Sequence, residues 1–279
     1  MRYQDWEQKQ EAVHAETEHH EFDVAYVEEG TGDTVTLFLH GIPTWGFLFR
    51  DVYKAADHAI VPDLAGWGYT EHVGPGGYDR SIAVQTDLVR SFIEELGFES
   101  VQVVGHDTGG SVALRLAVYE DVVDRLVLSN IGSYNSWPVE FVIEMGTPEG
   151  AGGIDWTFEK VEQRIEKMAN LGTSDGRDTE EFVTGLKGPF VDGPRAANAI
   201  SRHASAYNVN HTEELTPHLE DVEVPTLLLW GADDVFQPPK WADKLADDLP
   251  NTEKEYLTAR HWLTQDEPVA YRTALEDFL

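Results

Sequence analysis

The sequence predicts an α/β fold in which helices flank a mostly parallel, doubly wound sheet and a helical cap is inserted between two strands. Short aliphatic and β-branched runs alternate with segments of helical period along the 279 residues, a pattern typical of parallel sheets. Between residues 132 and 221 the strand signal disappears and aromatic residues accumulate. We therefore predict a core domain of residues 1–131 and 222–279, with residues 132–221 as the cap.

Seven apolar runs bounded by turn residues account for the predicted strands. They are residues 22–27, 35–39, 59–61, 101–104, 125–129, 226–230 and 255–257. Residues 81–96 have apolar side chains at helical spacing and stop before Gly97, which predicts a helix ended by a glycine. Further helices are predicted after Asp107 and over residues 268–279. The polar residues 1–20 are interpreted as a charged leading segment.

The charge balance is strongly acidic, with 51 Asp and Glu against 20 Lys and Arg and a net charge of −31. The acidic residues are scattered along the chain and not collected in a tail. We interpret this as adaptation to molar salt, which shortens the Debye length to about 3 Å and screens self-repulsion. Nucleic acid is excluded as a partner by the same charge.

The remaining composition limits the chemistry. The chain contains no cysteine, which excludes disulfides and thiolate sites. No signal-peptide pattern and no apolar run of bilayer length are present, so we expect a soluble, cytoplasmic protein with no membrane partner. His14, His19 and His20 lack ligand spacing, and we expect neither a metal nor a cofactor. The sequence leaves the oligomeric state open.

The most informative segment is Gly105-His106-Asp107-Thr108-Gly109, which follows a β-branched run and precedes a helical pattern. A nucleophile elbow has this layout, with the central side chain exposed at the carboxyl end of a strand. An aspartate needs no base to become nucleophilic, because its ordinary pKa lies near 3.9. A carboxylate nucleophile leaves an ester on the enzyme. The elbow predicts Asp107 as the nucleophile, in preference to a simple helix N-cap.

The chain resembles α/β-hydrolases of the aspartate-nucleophile branch, which holds haloalkane dehalogenases, haloacid dehalogenases and epoxide hydrolases. The resemblance extends from about Phe22 to the C-terminus. Four motifs carry it: Leu39-His40-Gly41-Ile42-Pro43-Thr44-Trp45, the elbow, Leu229-Trp230-Gly231-Ala232-Asp233-Asp234 and Arg260-His261-Trp262. The first of these motifs is closer to the haloalkane dehalogenase version.

The order nucleophile, acid, histidine in this fold predicts His261, after the last strand, as the base that activates water. The resemblance places the acid at Asp234, with Asp233 as a competitor. Backbone N–H groups of Ile42 and Thr108 are expected to form the oxyanion hole.

The residues at the expected leaving-group site differ from those that the resemblance would place there. The resemblance would place side-chain N–H donors directly after the nucleophile and after the His-Gly pair, where this chain has Thr108 and Ile42. Trp137, Trp156 and Asn135 are therefore candidate halide donors. Epoxide hydrolases use two cap tyrosines instead, and Tyr134 and Tyr207 are the candidates for that role.

Together these residues predict a hydrolase whose partners are a small apolar electrophile and water. Haloalkane dehalogenation is the first hypothesis and epoxide hydrolysis the alternative. A small-molecule receptor without catalytic activity on the same scaffold is a further alternative, which the complete set of Asp107, His261 and Asp234 disfavours. A serine esterase is disfavoured because Ser111 lies inside the helix, beyond the elbow.

Overall fold

The computed structural model describes residues 1–75, 77–146 and 157–279. Within these ranges nine strands are present: β1 (Glu11–Glu16), β2 (Glu21–Gly30), β3 (Thr36–Leu39), β4 (His58–Pro62), β5 (Glu71–Val73), β6 (Val101–His106), β7 (Val123–Ser129), β8 (Thr226–Gly231) and β9 (Thr252–Leu257). They form one sheet in the order β1-β2-β4-β3-β6-β7-β8-β9, and β5 pairs with β2.

The centre of the sheet is parallel. Strands β4, β3, β6, β7, β8 and β9 run in one direction, whereas β2 pairs antiparallel with β1, β4 and β5. Strands β6 and β8 are buried along their whole length, as parallel strands covered on both faces should be. The predicted fold class is confirmed.

Helices connect and cover the strands. In the described ranges they are α1 (Tyr3–Glu7), α2 (Ile82–Glu95), α3 (Thr108–Tyr119), α4 (Glu140–Gly146), α5 (Phe158–Gly172), α6 (Glu180–Val191), α7 (Ala199–Ala204), α8 (Asn210–Glu213), α9 (Lys240–Asp248), α10 (Leu263–Asp266) and α11 (Pro268–Phe278). None of these helices has both the length and the apolarity needed to cross a bilayer. Helix α3 packs on β6, the strand that leads into the elbow, and on the neighbouring strand β7.

The C-terminal end of α2 lies where the sequence predicts it, just before Gly97. Gly97 has φ +80°, and the N–H groups of Gly97 and Phe98 donate to the carbonyl oxygens of Glu94 and Ile93. This pair of bonds is the Schellman pattern, which a left-handed glycine permits. At the other end, Ser81 accepts a hydrogen bond from the Val84 backbone N–H.

The first twenty residues differ from the expected leading segment, because they form α1 and the edge strand β1. The register of β1 against β2 runs from Glu11 opposite Tyr26 to Glu16 opposite Glu21. Trp6 of α1 is fully buried and meets the Tyr53 ring edge-on at 5.1 Å. Only Val13 and Ala15 of this strand face the core, and the rest of its order comes from backbone pairing with β2, so its polar composition conceals it.

The described residues between β7 and β8 form helices α4 to α8 and a 3₁₀ turn at Thr216–Asp221. Two indole N–H groups hold this region to the sheet domain: Trp45 donates to the Gly185 carbonyl oxygen and Trp262 to the Met168 carbonyl oxygen. The division into a core and a cap at residues 132 and 221 stays a prediction.

Candidate active site

The elbow places Asp107 between β6 and α3, at the carboxyl end of a central strand. Its backbone has φ +53° and ψ −124°, a conformation that costs a non-glycine residue about 1–3 kcal/mol. Neighbouring glycines make the turn possible. A Cβ on Gly105 would lie 2.5 Å from the Gly110 Cα, and one on Gly109 would lie 2.2 Å from the Leu39 carbonyl oxygen.

His261 lies between two carboxylates. Its Nδ1 is 2.9 Å from Oδ2 of Asp234, and its Nε2 is 3.4 Å from Oδ2 of Asp107. Asp234 is oriented by the Phe236 and Gln237 backbone N–H groups, which both donate to its Oδ1. Asp233, the competing acid, is exposed. The structure thus brings together the three residues that the sequence predicts as a triad.

The pKa values of His261 and Asp107 depend on each other's charge. Burial alone would lower the pKa of His261, but the carboxylates of Asp234 and Asp107 outweigh it and raise that pKa to about 10. Burial alone would raise the pKa of Asp107, but the hydrogen bond and charge of His261 hold it below its ordinary value. The resting site therefore contains an ionised nucleophile and an imidazolium.

The predicted oxyanion donors lie beside the nucleophile. The Ile42 backbone N–H donates to Oδ1 of Asp107 at 3.0 Å. Thr108 begins α3 and is buried, so its backbone N–H belongs to the first turn, where no acceptor exists within the helix. A Cβ on Gly41 would lie 2.3 Å from the Asp107 Cβ, which explains why this loop approaches the elbow through a glycine.

His40 fixes the shape of that loop. Its Nε2 accepts a hydrogen bond from the Leu64 backbone N–H, and its Nδ1 lies 2.8 Å from the Gly41 carbonyl oxygen. Burial lowers the pKa of His40 to about 4. The ring is neutral with its proton on Nδ1, and it therefore positions the loop without taking part in proton transfer.

Asn130 is a site residue that the sequence did not identify. It has φ +49° at the end of β7, and its amide nitrogen donates to the carbonyl oxygens of Arg260 and His261 at 3.2 and 2.8 Å. Its Oδ1 accepts from the Gly231 backbone N–H at 2.9 Å. Asn130 holds the backbone of the base and does not contact the imidazole ring.

An apolar cavity opens above the nucleophile. Its volume is about 10 Å³, near the minimum needed to hold one water molecule. The residues around it are Ile42, Asp107, Trp137, Val139, Phe141, Val142, Met168, Phe236, His261 and Trp262. Because nearly all of these side chains are apolar, any polar group among them acts on a substrate at low dielectric.

Trp137 is the predicted halide donor that reaches this cavity. It is 2% exposed, and its Nε1 has no hydrogen-bond partner within the described part of the chain. A buried indole N–H normally finds an acceptor. Asn135 is exposed, and Trp156 lies outside the described residues. Of the candidates that the structure describes, Trp137 is the one that lines the cavity together with Asp107.

The two candidate tyrosines lie in different surroundings. The Tyr134 hydroxyl donates to Asp248 at 2.6 Å and its ring stacks on Trp241, so it is directed away from the cavity. The Tyr207 hydroxyl interacts with the side chains of Trp67 and Thr108, and burial together with the Asp107 charge raises its pKa. Only Tyr207 of this pair is placed near the nucleophile.

Across the described ranges, no group of three or more His, Asp or Glu side chains is arranged to hold a metal ion. The site combines a buried carboxylate, a backbone N–H donor on one of its oxygens, and a histidine oriented by a second carboxylate, and these are groups that covalent catalysis can use.

Comparisons with known proteins agree with this geometry at the level of the family. Residues 36–274 match the alpha/beta hydrolase family. Haloalkane dehalogenase 2 of Mycobacterium tuberculosis is 27% identical over 265 residues, which cover 88% of this chain and 87% of that protein. Epoxide hydrolase 1 of Caenorhabditis elegans is 28% identical over 277 residues, which cover 91% of this chain and 67% of that protein.

The fold is also that of a solved alpha/beta hydrolase fold protein from Burkholderia ambifaria, with a TM-score of 0.82 and 19% identity over 95% of this chain and 97% of the other. Since the family match spans well over half of the sequence, the chain belongs to the alpha/beta hydrolase family.

Proposed function

From this family membership and the geometry of the site, we propose that the protein hydrolyses the carbon–halogen bond of a small apolar haloalkane through an alkyl ester on Asp107. One observation supports a halide as the leaving group. Trp137, whose indole N–H has no acceptor among the described residues, and Asp107 line the same apolar cavity. A buried donor without an acceptor is suited to the charge of a departing halide.

In the first step, Oδ2 of Asp107 attacks the carbon that carries the halogen, because the Ile42 N–H holds Oδ1. A carbon–oxygen bond forms, the carbon–halogen bond breaks, and the halide leaves with the bonding electron pair beside Trp137. The product of this step is a neutral ester of Asp107.

In the second step, His261, which first releases its resting proton to solvent, takes a proton from water, and the hydroxide attacks the Asp107 carboxyl carbon. The N–H groups of Ile42 and Thr108 stabilise the tetrahedral oxyanion, and its collapse breaks the bond between the carboxyl carbon and the alkyl oxygen while His261 returns the proton to that oxygen, so that the alcohol leaves. Esterification also removes one of the two negative charges that raise the His261 pKa. The base therefore becomes easier to deprotonate once the first step is complete.

The direct test is bromide release from short bromoalkanes in molar potassium acetate, which avoids a chloride background. Asp107→Asn is the informative variant, since asparagine tolerates a positive φ, and Asp233→Asn is the matched control on an exposed neighbour of the acid. We expect release by the wild type and the control and none by Asp107→Asn. Folded wild type that releases no bromide would contradict the proposal.

Epoxide hydrolysis is the second candidate, and the placement of Tyr207 favours it. A phenol kept neutral beside Thr108 and Asp107 can donate a proton to an opening epoxide oxygen. Diol formation from styrene oxide should then fall at least a hundredfold in Tyr207→Phe. Tyr134→Phe is the control, because its hydroxyl is bound to Asp248. Equal rates in both variants would rule this role out.

We further propose that the protein works in a salt-rich cytoplasm. The net charge of −31 destabilises the folded state at low ionic strength through self-repulsion. The melting temperature should therefore rise from dilute buffer to molar potassium chloride. A melting temperature independent of salt would refute this setting without affecting the proposed reaction.

A further inference from the structure

A second cleft, separate from the catalytic cavity, is lined by three arginines: Arg80, Arg195 and Arg202. Its volume is about 330 Å³. Three guanidinium groups in one cleft are unexpected in a chain where acidic residues outnumber basic ones by 51 to 20. Glu71 is the one carboxylate in the described lining. The cleft is therefore a positive region on a strongly negative protein.

These arginines lack the partners that arginines usually have. Within the described residues, none of the three forms an ion pair with a carboxylate within 4.0 Å, although most other basic side chains do. Arg195 is the clearest case, because its Nε is buried and has no hydrogen-bond acceptor. A buried guanidinium N–H without an acceptor costs free energy that a bound anion would recover.

The surroundings hold the guanidinium groups in place. Arg80 donates to the Tyr78 carbonyl oxygen and lies 4.0 Å above the Tyr78 ring. The Nη2 of Arg202 is the atom nearest to a Cβ built on Gly77, at 3.5 Å. Tyr78 thus supports one side of the cleft, and its position limits the conformational freedom that Arg80 would lose on binding.

The electrostatics agree with this geometry. Burial, together with the charges of Arg202 and Arg195, lowers the pKa of Arg80. Burial and the same arginines lower the pKa of His203 well below its ordinary value. His203 is 1% exposed and is therefore neutral. For Arg195, burial lowers the pKa in spite of the charges of Glu71 and Asp63, which raise it.

The cleft is close to the catalytic site but distinct from it. The two sets of lining residues share no member. The rings of Trp67 and His203 pack together with centroids 4.4 Å apart, and the Tyr207 ring centroid lies 6.4 Å from that of His203. The anionic group bound in the cleft would itself contact neither Asp107 nor His261.

We propose that this cleft binds the phosphate or carboxylate group of a small molecule. Guanidinium groups match the paired oxygens of these anions with two parallel hydrogen bonds. A single halide ion would leave most of the donors unpaired, and the acidic surface around the cleft excludes large polyanions. The site goes beyond the proposed reaction and does not depend on it.

The test is calorimetric titration of the whole protein with inorganic phosphate and with succinate, in molar potassium chloride. The informative variant is Arg195→Gln combined with Arg202→Gln. Its matched control is Arg90→Gln combined with Arg272→Gln, which removes the same charge from surface pairs on α2 and α11. We expect saturable binding by the wild type and the control, and at least tenfold weaker binding by the cleft variant.

Arg195→Lys keeps the charge but not the fork of donors, and it should bind with intermediate affinity. Asp107→Asn should bind phosphate as the wild type does, so a failed reaction would not obscure the result. The proposal would be overturned if the wild type showed no saturable binding of either anion, or if the cleft variant bound them with the same affinity as the wild type.

The source of the anion is distinguished by a second comparison, of 6-bromohexanoate with 1-bromohexane as substrates. If the anion is the far end of the substrate, the cleft variant loses kcat/KM for the bromoacid alone. If it is a separate molecule, phosphate binding is lost while kcat/KM for both substrates is kept.

Discussion

The side-chain amide of Asn130 donates a hydrogen bond to the backbone carbonyl oxygen of His261, with a distance of 2.8 Å between the two atoms. The same side chain accepts from the Gly231 N–H. Asn130 therefore connects the end of β7, the end of β8 and the loop that holds the base. It acts on the reaction through the position of His261 and is a positioning residue.

Replacing Asn130 with alanine should reduce both stability and activity. The change leaves the buried Gly231 N–H without an acceptor, and we expect a loss of about 2–3 kcal/mol in the free energy of unfolding. Bromide release should fall about tenfold or more, because small displacements of a catalytic group are costly. Urea unfolding and steady-state kinetics measure the two effects. Asn251→Ala, an exposed change, is the control, and equal behaviour of the two variants would refute the positioning role.

Trp137→Phe tests the halide donor. Phenylalanine preserves an apolar ring but removes the unpartnered N–H, so bromide release should fall roughly 10²–10³-fold, as for the loss of an oxyanion donor. Stability should change little, because no hydrogen bond is broken. Trp241→Phe, on α9, is the control. Unchanged turnover in Trp137→Phe would mean that another group receives the halide.

The charge on His261 predicts how stability depends on pH. Its pKa is raised from 6.5 to about 10 in the folded protein. The stabilisation is therefore fully present below about pH 6.5 and is lost as the pH rises through about 10. The melting temperature of the wild type should decrease over this interval more steeply than that of His261→Gln. Parallel curves for the two proteins would contradict the ion pairs assigned to His261.

The sequence predicted the central strands and the elbow because both have strong local signals. Buried parallel strands are continuous apolar runs, and the glycines at 105 and 109 are required by contacts shorter than 3 Å. Strand β1 has no such signal, since its order comes from backbone pairing with β2.

The roles of individual side chains depended on geometry that sequence order does not contain. Tyr134 and Tyr207 are both aromatic residues of the same helical region, yet one bonds to Asp248 on α9 and the other lies near Thr108. Asn130 directly follows strand β7. Its contacts are with backbone atoms distant in sequence, and no local pattern marks them.

The central claim is that Asp107 forms a covalent alkyl ester that His261 helps to hydrolyse. The most direct measurement is intact mass spectrometry of His261→Gln after incubation with 1-bromobutane, followed by peptide mapping. We expect the protein to gain the mass of one butyl group on the peptide containing Asp107, and we expect Asp107→Asn in the same background to gain none. An unmodified protein that still releases bromide, or a butyl group on another residue, would contradict it.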